Sequence, residues 1–163
     1  MLSPMATWSE VRSEAVELAA RVQHRFERYG LGVLATLRRD GSPRVTGIEP
    51  LLADELWLGM MPDSRKGADL RRDGRLALHA ASVDKQVTEG DAKVAGRGVE
   101  VVDEATKVGF LQAFAERTGV TPPTPFTLFR VEVAEVSFLY PEGDHLVIEW
   151  WRDGVGLHRV ERS

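Results

Sequence analysis

Three adjacent residues, Ser64, Arg65 and Lys66, follow the apolar run Leu56-Trp57-Leu58-Gly59-Met60-Met61 across the turn Pro62-Asp63. A hydroxyl and two cations at the mouth of a strand suit a terminal phosphate. Arginine offers a planar fork for two oxygens, and lysine offers a point charge. A helix starting there adds unpaired backbone N–H groups. On these residues alone a solvated basic turn is the simpler reading, so the elements that position them have to decide.

The chain has 163 residues, a length suited to one domain with a buried core. Its 43% hydrophobic and 28% charged residues match a soluble globular protein. A net charge of −4 argues against general nucleic-acid binding, which needs a basic excess. With no cysteine, disulfides, thiolate zinc sites and cysteine nucleophiles are excluded. The N-terminus lacks the basic-then-apolar layout of a signal peptide, and no apolar run approaches the about 18 residues of a membrane span. The expected location is the cytoplasm, without a membrane or nucleic-acid partner.

Thr7 and Glu10 form a T-x-x-E capping box, and a helix is expected over about 8–29, ending at Gly30. Its apolar stripe is Val11, Ala15, Leu18, Ala19, Val22 and Phe26. The period then changes to two. Strands are expected at 32–37 and 43–52 around an Asp40-Gly41 hairpin, and at 56–61 after Asp54-Glu55. A short helix at 67–72 leads to a strand at 75–81. A further strand at 93–102 carries Gly96 and Gly98, which suggest a bulge or a close approach. Asp103 caps a helix over 104–117 with Val108, Leu111, Phe114 and Ala115 inward. A proline-rich loop precedes strands at 126–140 and 146–151, and 152–163 reads as a Gly-interrupted tail. Short turns between the early strands favour an antiparallel meander closing into a small barrel. No G-x-G-x-x-G opens a helix after a strand, so a dinucleotide fold has no support.

Other constellations are weak. His24, His79, His145 and His158 show no metal-ligand spacing. No G-x-S-x-G elbow exists, and acidic pairs such as Asp54-Glu55 and Asp103-Glu104 fall at turns and caps. Trp150-Trp151 reads first as core or interface packing, with ring stacking as the alternative.

In order, the hairpin from Val33 to Val45, the Ser64-Arg65-Lys66 turn with Leu76-Ala77-Leu78 behind it, and the segment from Asp91 to Asp103 resemble the flavin-binding split-barrel family typified by pyridoxamine 5′-phosphate oxidase. The resemblance covers about 32–139. It implies a mainly β, six-stranded antiparallel split barrel with flanking helices, a single domain over 1–163 whose barrel spans about 31–151. It further implies a homodimer with flavin mononucleotide (FMN) between subunits. Carried over residue by residue, Arg44, Arg65 and Lys66, with Ser64 adjacent, would grip the phosphate. Backbone groups of Val45, Thr46, Gly47, Met60 and Met61 would face the ring, and Trp151 and Arg159 would approach it from the tail.

The departures bear on activity. The family's substrate lysine after the second-strand arginine is Glu49 here, and the arginine two residues before a C-terminal histidine is replaced by Gly156 ahead of His158. The resemblance therefore implies an oxidoreductase acting on a small organic molecule other than pyridoxamine phosphate, with no side chain singled out as acid or base. One alternative is the deazaflavin coenzyme F-420, with Arg71, Arg72 and Arg75 available for its acidic tail. A flavin carrier without turnover, or a haem-binding relative using His79 or His158, are others.

Overall fold

Thr7 caps the first helix of the computed structural model, which describes residues 5–163. Its hydroxyl accepts from the Glu10 N–H at 3.1 Å, and the Glu10 carboxylate accepts from the Thr7 N–H at 2.6 Å. The helix does not run unbroken to Tyr29. Ala15, at φ −134°, divides it into α1 (Trp8–Glu14) and α2 (Val16–Glu27). The bend lets Trp8 and Val11 of one half and Leu18, Val22 and Phe26 of the other enter the same core. The expected stripe is otherwise buried throughout.

Nine antiparallel strands form one sheet: β1 (Gly32–Leu37), β2 (Pro43–Ile48), β3 (Pro50–Leu52), β4 (Leu56–Met60), β5 (Arg75–Ala80), β6 (Asp91–Val101), β7 (Thr127–Glu142), β8 (His145–Arg152) and β9 (Gly156–Arg162). The order is β2-β1-β5-β6-β7-β4-β3, with β8 on β7 and β9 on β8. Strand β7 is the spine. Its first residues pair with β4 and its second half with β8, while β6 runs along its other side. The sheet curls without closing, so β2 and β3, consecutive in sequence, stand at opposite ends of the strand order. This is the expected split barrel with flanking helices, built among the described residues from nine strands where the resemblance implied six; Pro50 divides one strand and the tail adds β9.

Three elements differ in detail from the sequence reading. The strand expected over 43–52 breaks at Glu49, before Pro50, which has no N–H to donate; β2 then pairs with β1 and β3 with β4. The tail at 152–163 is not irregular, because Asp153-Gly154 turns the chain and β9 pairs with β8 along its length. The last helix, α4 (Glu104–Thr118), starts at the Asp103 cap as expected but buries Phe110 and Phe114. Val108 is 50% exposed. Two residues before Phe110, it lies about 200° round the helix.

Most buried apolar side chains form one core between α1, α2 and the inner sheet face, and a second cluster under α4 joins Leu51, Phe110, Phe114 and Leu128. Among the described residues no helix is long and apolar enough to cross a membrane. The bulge expected near Gly96 is present as a register shift between β6 and β7 at Ala95/Gly96. A Cβ at Gly96 would overlap the Glu132 carbonyl oxygen. Gly96→Ala is expected to lower stability by about 2–3 kcal/mol in chemical denaturation; a variant as stable as the parent would show that the strands separate there without cost.

Candidate cofactor-binding site

The Ser64 hydroxyl accepts from the Gly67 N–H at 3.2 Å and so starts α3 (Arg65–Arg72), two residues earlier than the sequence suggested. One turn on, Asp69 points inward and is 2% exposed. Thr36 Oγ1 donates to it at 2.8 Å, Arg44 Nε at 2.7 Å and Arg72 at 3.0 Å. Burial alone would raise the Asp69 carboxyl, but the bonds from Arg44, Arg72 and Thr36 outweigh it and hold the group below the usual carboxylate range. Thr36 and Arg44 are direct cross-strand partners on β1 and β2, so one carboxylate ties two strands to the helix.

Arg44 spends only its Nε on Asp69. The residue lines an open hollow of about 470 Å³ that also takes in Arg38, Arg39, Arg65 and Arg72, opposed by Asp40 and Asp69. Five arginines against two aspartates leave an excess of positive charge. Arg65 is exposed there, at the first position of α3. Arg71 and Arg75 are not part of it, because Glu100 takes the first in a two-bond fork at 2.7 and 2.8 Å and Asp73 takes the second at 2.6 Å.

Lys66 turns elsewhere. Successive helical residues are about 100° apart, and its Nζ reaches the Gly47 carbonyl at 3.1 Å. Burial lowers its pKa from the ordinary lysine value. It stands at the edge of a cleft of about 430 Å³ between the open edges of β2 and β4. The Arg38 N–H to Ser42 carbonyl bond (2.8 Å) sets the hairpin register. By alternation, Arg44, Thr46 and Ile48 bond to β1, so the N–H and C=O of Val45 and Gly47 point to the open edge, where Lys66 takes the Gly47 carbonyl. Opposite, β3 pairs with β4 only as far as Leu58. Gly59, Met60 and Met61 line the cleft there. Phe110 closes its floor at Gly59, where a Cβ would come within 3.0 Å of the ring. The cleft thus offers apolar walls and two unpaired backbone edges, beside a hollow rich in arginine. An elongated molecule with a flat ring at one end and a phosphate at the other suits that arrangement.

A family model for pyridoxamine 5′-phosphate oxidase matches residues 18–140. The chain belongs to that family. No curated protein matches it in sequence. Among solved structures, the fold is similar to PhzG from Burkholderia lata in complex with tetrahydrophenazine-1-carboxylic acid, at 17% identity over 96% of this chain and 95% of that one, TM-score 0.63. It is also similar to a pyridoxamine 5′-phosphate oxidase-related, FMN-binding protein from Nostoc punctiforme, at 14% identity over 94% and 96%, TM-score 0.61. A third is HutZ, the haem storage protein of Vibrio cholerae, at 17% identity over 74% and 89%, TM-score 0.58. At these identities the likeness is one of fold.

Seen as a pyridoxamine 5′-phosphate oxidase relative, the chain brings together only part of the expected set. Arg44 and Arg65 share the hollow; Gly47, Met60, Met61 and Lys66 share the cleft. Thr46 bonds its backbone to β1, and its buried hydroxyl has no partner. Trp151 is wholly buried in the core and donates to Glu14 at 3.0 Å, away from both cavities. Arg159 is exposed on β9 and pairs with Glu142 and Glu161. His158 stacks on Trp150 with centroids 4.4 Å apart, and His79 on β5 lies 3.7 Å from Asp91 on β6; neither lines the cleft or the hollow. Among the described residues no group of three or more potential ligands could hold a metal ion. The residues missed from sequence are Asp69, Thr36 and Phe110. A lone carboxylate four positions after Arg65 and three before Arg72 was the available signal for the first.

Replacing the buried Asp69 carboxylate leaves two guanidinium groups without their partner, so Asp69→Asn is expected to cost about 2–3 kcal/mol at neutral pH. The free carboxyl titrates near 3.8 and the folded one lower. The ionised group's contribution is therefore complete above pH 3.8 and lost as pH falls through the folded value. Denaturation curves of both proteins should differ fully at pH 7 and converge in acid below pH 3.8.

Proposed function

We propose that this chain is an FMN-binding oxidoreductase of the pyridoxamine 5′-phosphate oxidase family, working as a cytoplasmic homodimer on a small organic substrate other than pyridoxamine phosphate. The observation that carries the reading is Arg44, pinned through its Nε by Asp69 on the wall of the hollow that Arg65 also lines. A guanidinium fixed in advance loses little freedom on meeting a phosphate. The Ser64 hydroxyl, already accepting from Gly67, keeps its own proton to donate. The outward backbone groups of Val45 and the Gly47 N–H offer edge-on hydrogen bonds to a flavin ring, and Met60 and Met61 offer apolar contact. Lys66, fixed at Gly47, would sit at the ring end of the cofactor and not at its phosphate.

When bound, FMN supplies two-electron transfer; the protein binds, orients and shields it. Glu49 in place of a substrate cation supports a substrate without a phosphate at that position. The homodimer is supported by apolar side chains left exposed on β1, β2 and β9, among them Val33, Val45 and Leu157, at 40%, 65% and 52% exposure. Arg159, on exposed β9, is a contact that a second copy could bring to the cleft. Arg38 and Arg39 favour a second reading. Their side chains make no hydrogen bond among the described residues, and they extend the basic hollow beyond what one phosphate needs, which suits the acidic tail of coenzyme F-420.

The visible spectrum of the purified protein tests the cofactor, since flavin gives paired bands, the deazaflavin a single band and haem a Soret band. Arg44→Ala and Arg65→Ala are each expected to weaken FMN by about tenfold to a hundredfold while leaving riboflavin, which has no phosphate, nearly unchanged. Lys66→Ala should affect both ligands alike. Equal losses of FMN and riboflavin in the two arginine variants would remove the phosphate assignment.

A further inference from the structure

Beyond Glu49 the cleft does not end. Glu49, Phe114 and Val120 also line a second chamber of about 400 Å³, enclosed by the end of α2, β3 and the last turn of α4. Its remaining walls include Tyr29, Leu51 and Leu52. Three charged side chains border it. Glu27 and Arg117 pair with each other, and Gln23 also donates to Glu27 at 2.9 Å. Glu49 makes no ion pair or hydrogen bond through its carboxylate in the described structure, so the chamber carries one uncompensated negative charge at its junction with the cleft. The arginines of the hollow are remote, and the nearest cation of the cleft, Lys66, is held at the Gly47 carbonyl at 3.1 Å. Arg44 and Glu49 are five residues apart on an extended segment, about 16 Å along the chain. A cofactor held by its phosphate at Arg44 and Arg65 would lie alongside Val45 and Gly47 and leave the Glu49 end open.

We propose that this second chamber is the substrate subsite and that it takes an apolar, aromatic-sized molecule bearing a protonated amine, whose charge meets Glu49 and whose body lies against Tyr29, Leu51 and Phe114. The role as substrate subsite rests on the cofactor reading above; the ligand chemistry rests on the chamber alone. A carboxylate or phosphate on the same body would face Glu49 across an apolar wall with no cation released to receive it. A neutral body would gain the apolar contact only.

The test uses three probes of one shape, 2-naphthylmethylamine, 2-naphthylmethanol and 2-naphthoate, titrated by calorimetry into the full chain, first alone and then saturated with FMN. The amine should bind at least about threefold more tightly than the alcohol, the range of a partly solvated ion pair, and 2-naphthoate weakest. Glu49→Gln should bring amine and alcohol together. Tyr29→Ala should weaken all three probes and leave FMN affinity unchanged. Amine binding should persist in the FMN-loaded protein. The proposal is overturned if 2-naphthoate binds as well as the amine, if Glu49→Gln keeps the amine's advantage, if Tyr29→Ala leaves the probes unaffected, or if FMN abolishes amine binding. Failure of FMN to bind would instead remove the cofactor reading, while the order of the three probes would still decide the chemistry of the chamber.

Discussion

Asp69 stands almost wholly out of water with Thr36, Arg44 and Arg72 donating to its two oxygens. An isolated buried carboxylate would cost several kcal/mol, so these donors are obligatory once the helix carries Asp69 inward. Their positions then follow. Thr36 and Arg44 must face each other across β1 and β2, and α3 must lie over that pair. Arg65, at the helix start, is delivered to the same hollow. The charged part of the site is thus a by-product of satisfying one buried charge, and it is formed before any ligand arrives.

The second constraint is the open barrel. A strand edge exposes N–H and C=O groups that need a partner, and proteins commonly cover or blunt such edges. Here the edges of β2 and β4 face a shared cleft, capped at one end by Lys66 and floored by Phe110. Gly59 and Phe110 are complementary, because the missing side chain on the strand is what lets the ring approach. Closing the barrel would satisfy the backbone and remove the cleft. The split is therefore the feature that leaves polar edges available to a flat heteroaromatic ring, with the arginine hollow at one end and Glu49 at the other.

Much of this was legible in the residues. The Thr7–Glu10 box, the stripe from Val11 to Phe26, the Asp40-Gly41 hairpin, the Asp103 cap and the irregularity at Gly96 are local signals, and each appears where its chemistry required it. The failures have physical causes as well. The bend at Ala15 brings Trp8 and Phe26 into one core whose other members lie far along the chain, so no local signal marks it. Val108 and Phe110 are equally apolar, and which of them faces inward depends on Trp57 and Phe126, a contact distant in sequence. The alternating pattern of β9 is almost wholly exposed, so no hydrophobic period marked it as a strand.

Composition, turn chemistry and the order of short elements determined the fold class, the family resemblance and the small set of cations able to meet a phosphate, because those depend on neighbours along the chain. Tertiary structure decided how that set divides. Adjacent residues on a helix point about 100° apart, so Arg65 and Lys66, continuous in sequence, serve different cavities. Arg44 joins Arg65 only through Asp69, and Trp151 leaves the candidate set because the core takes its ring. Glu49 gains its place between two chambers from the break at Pro50, where one expected strand becomes two.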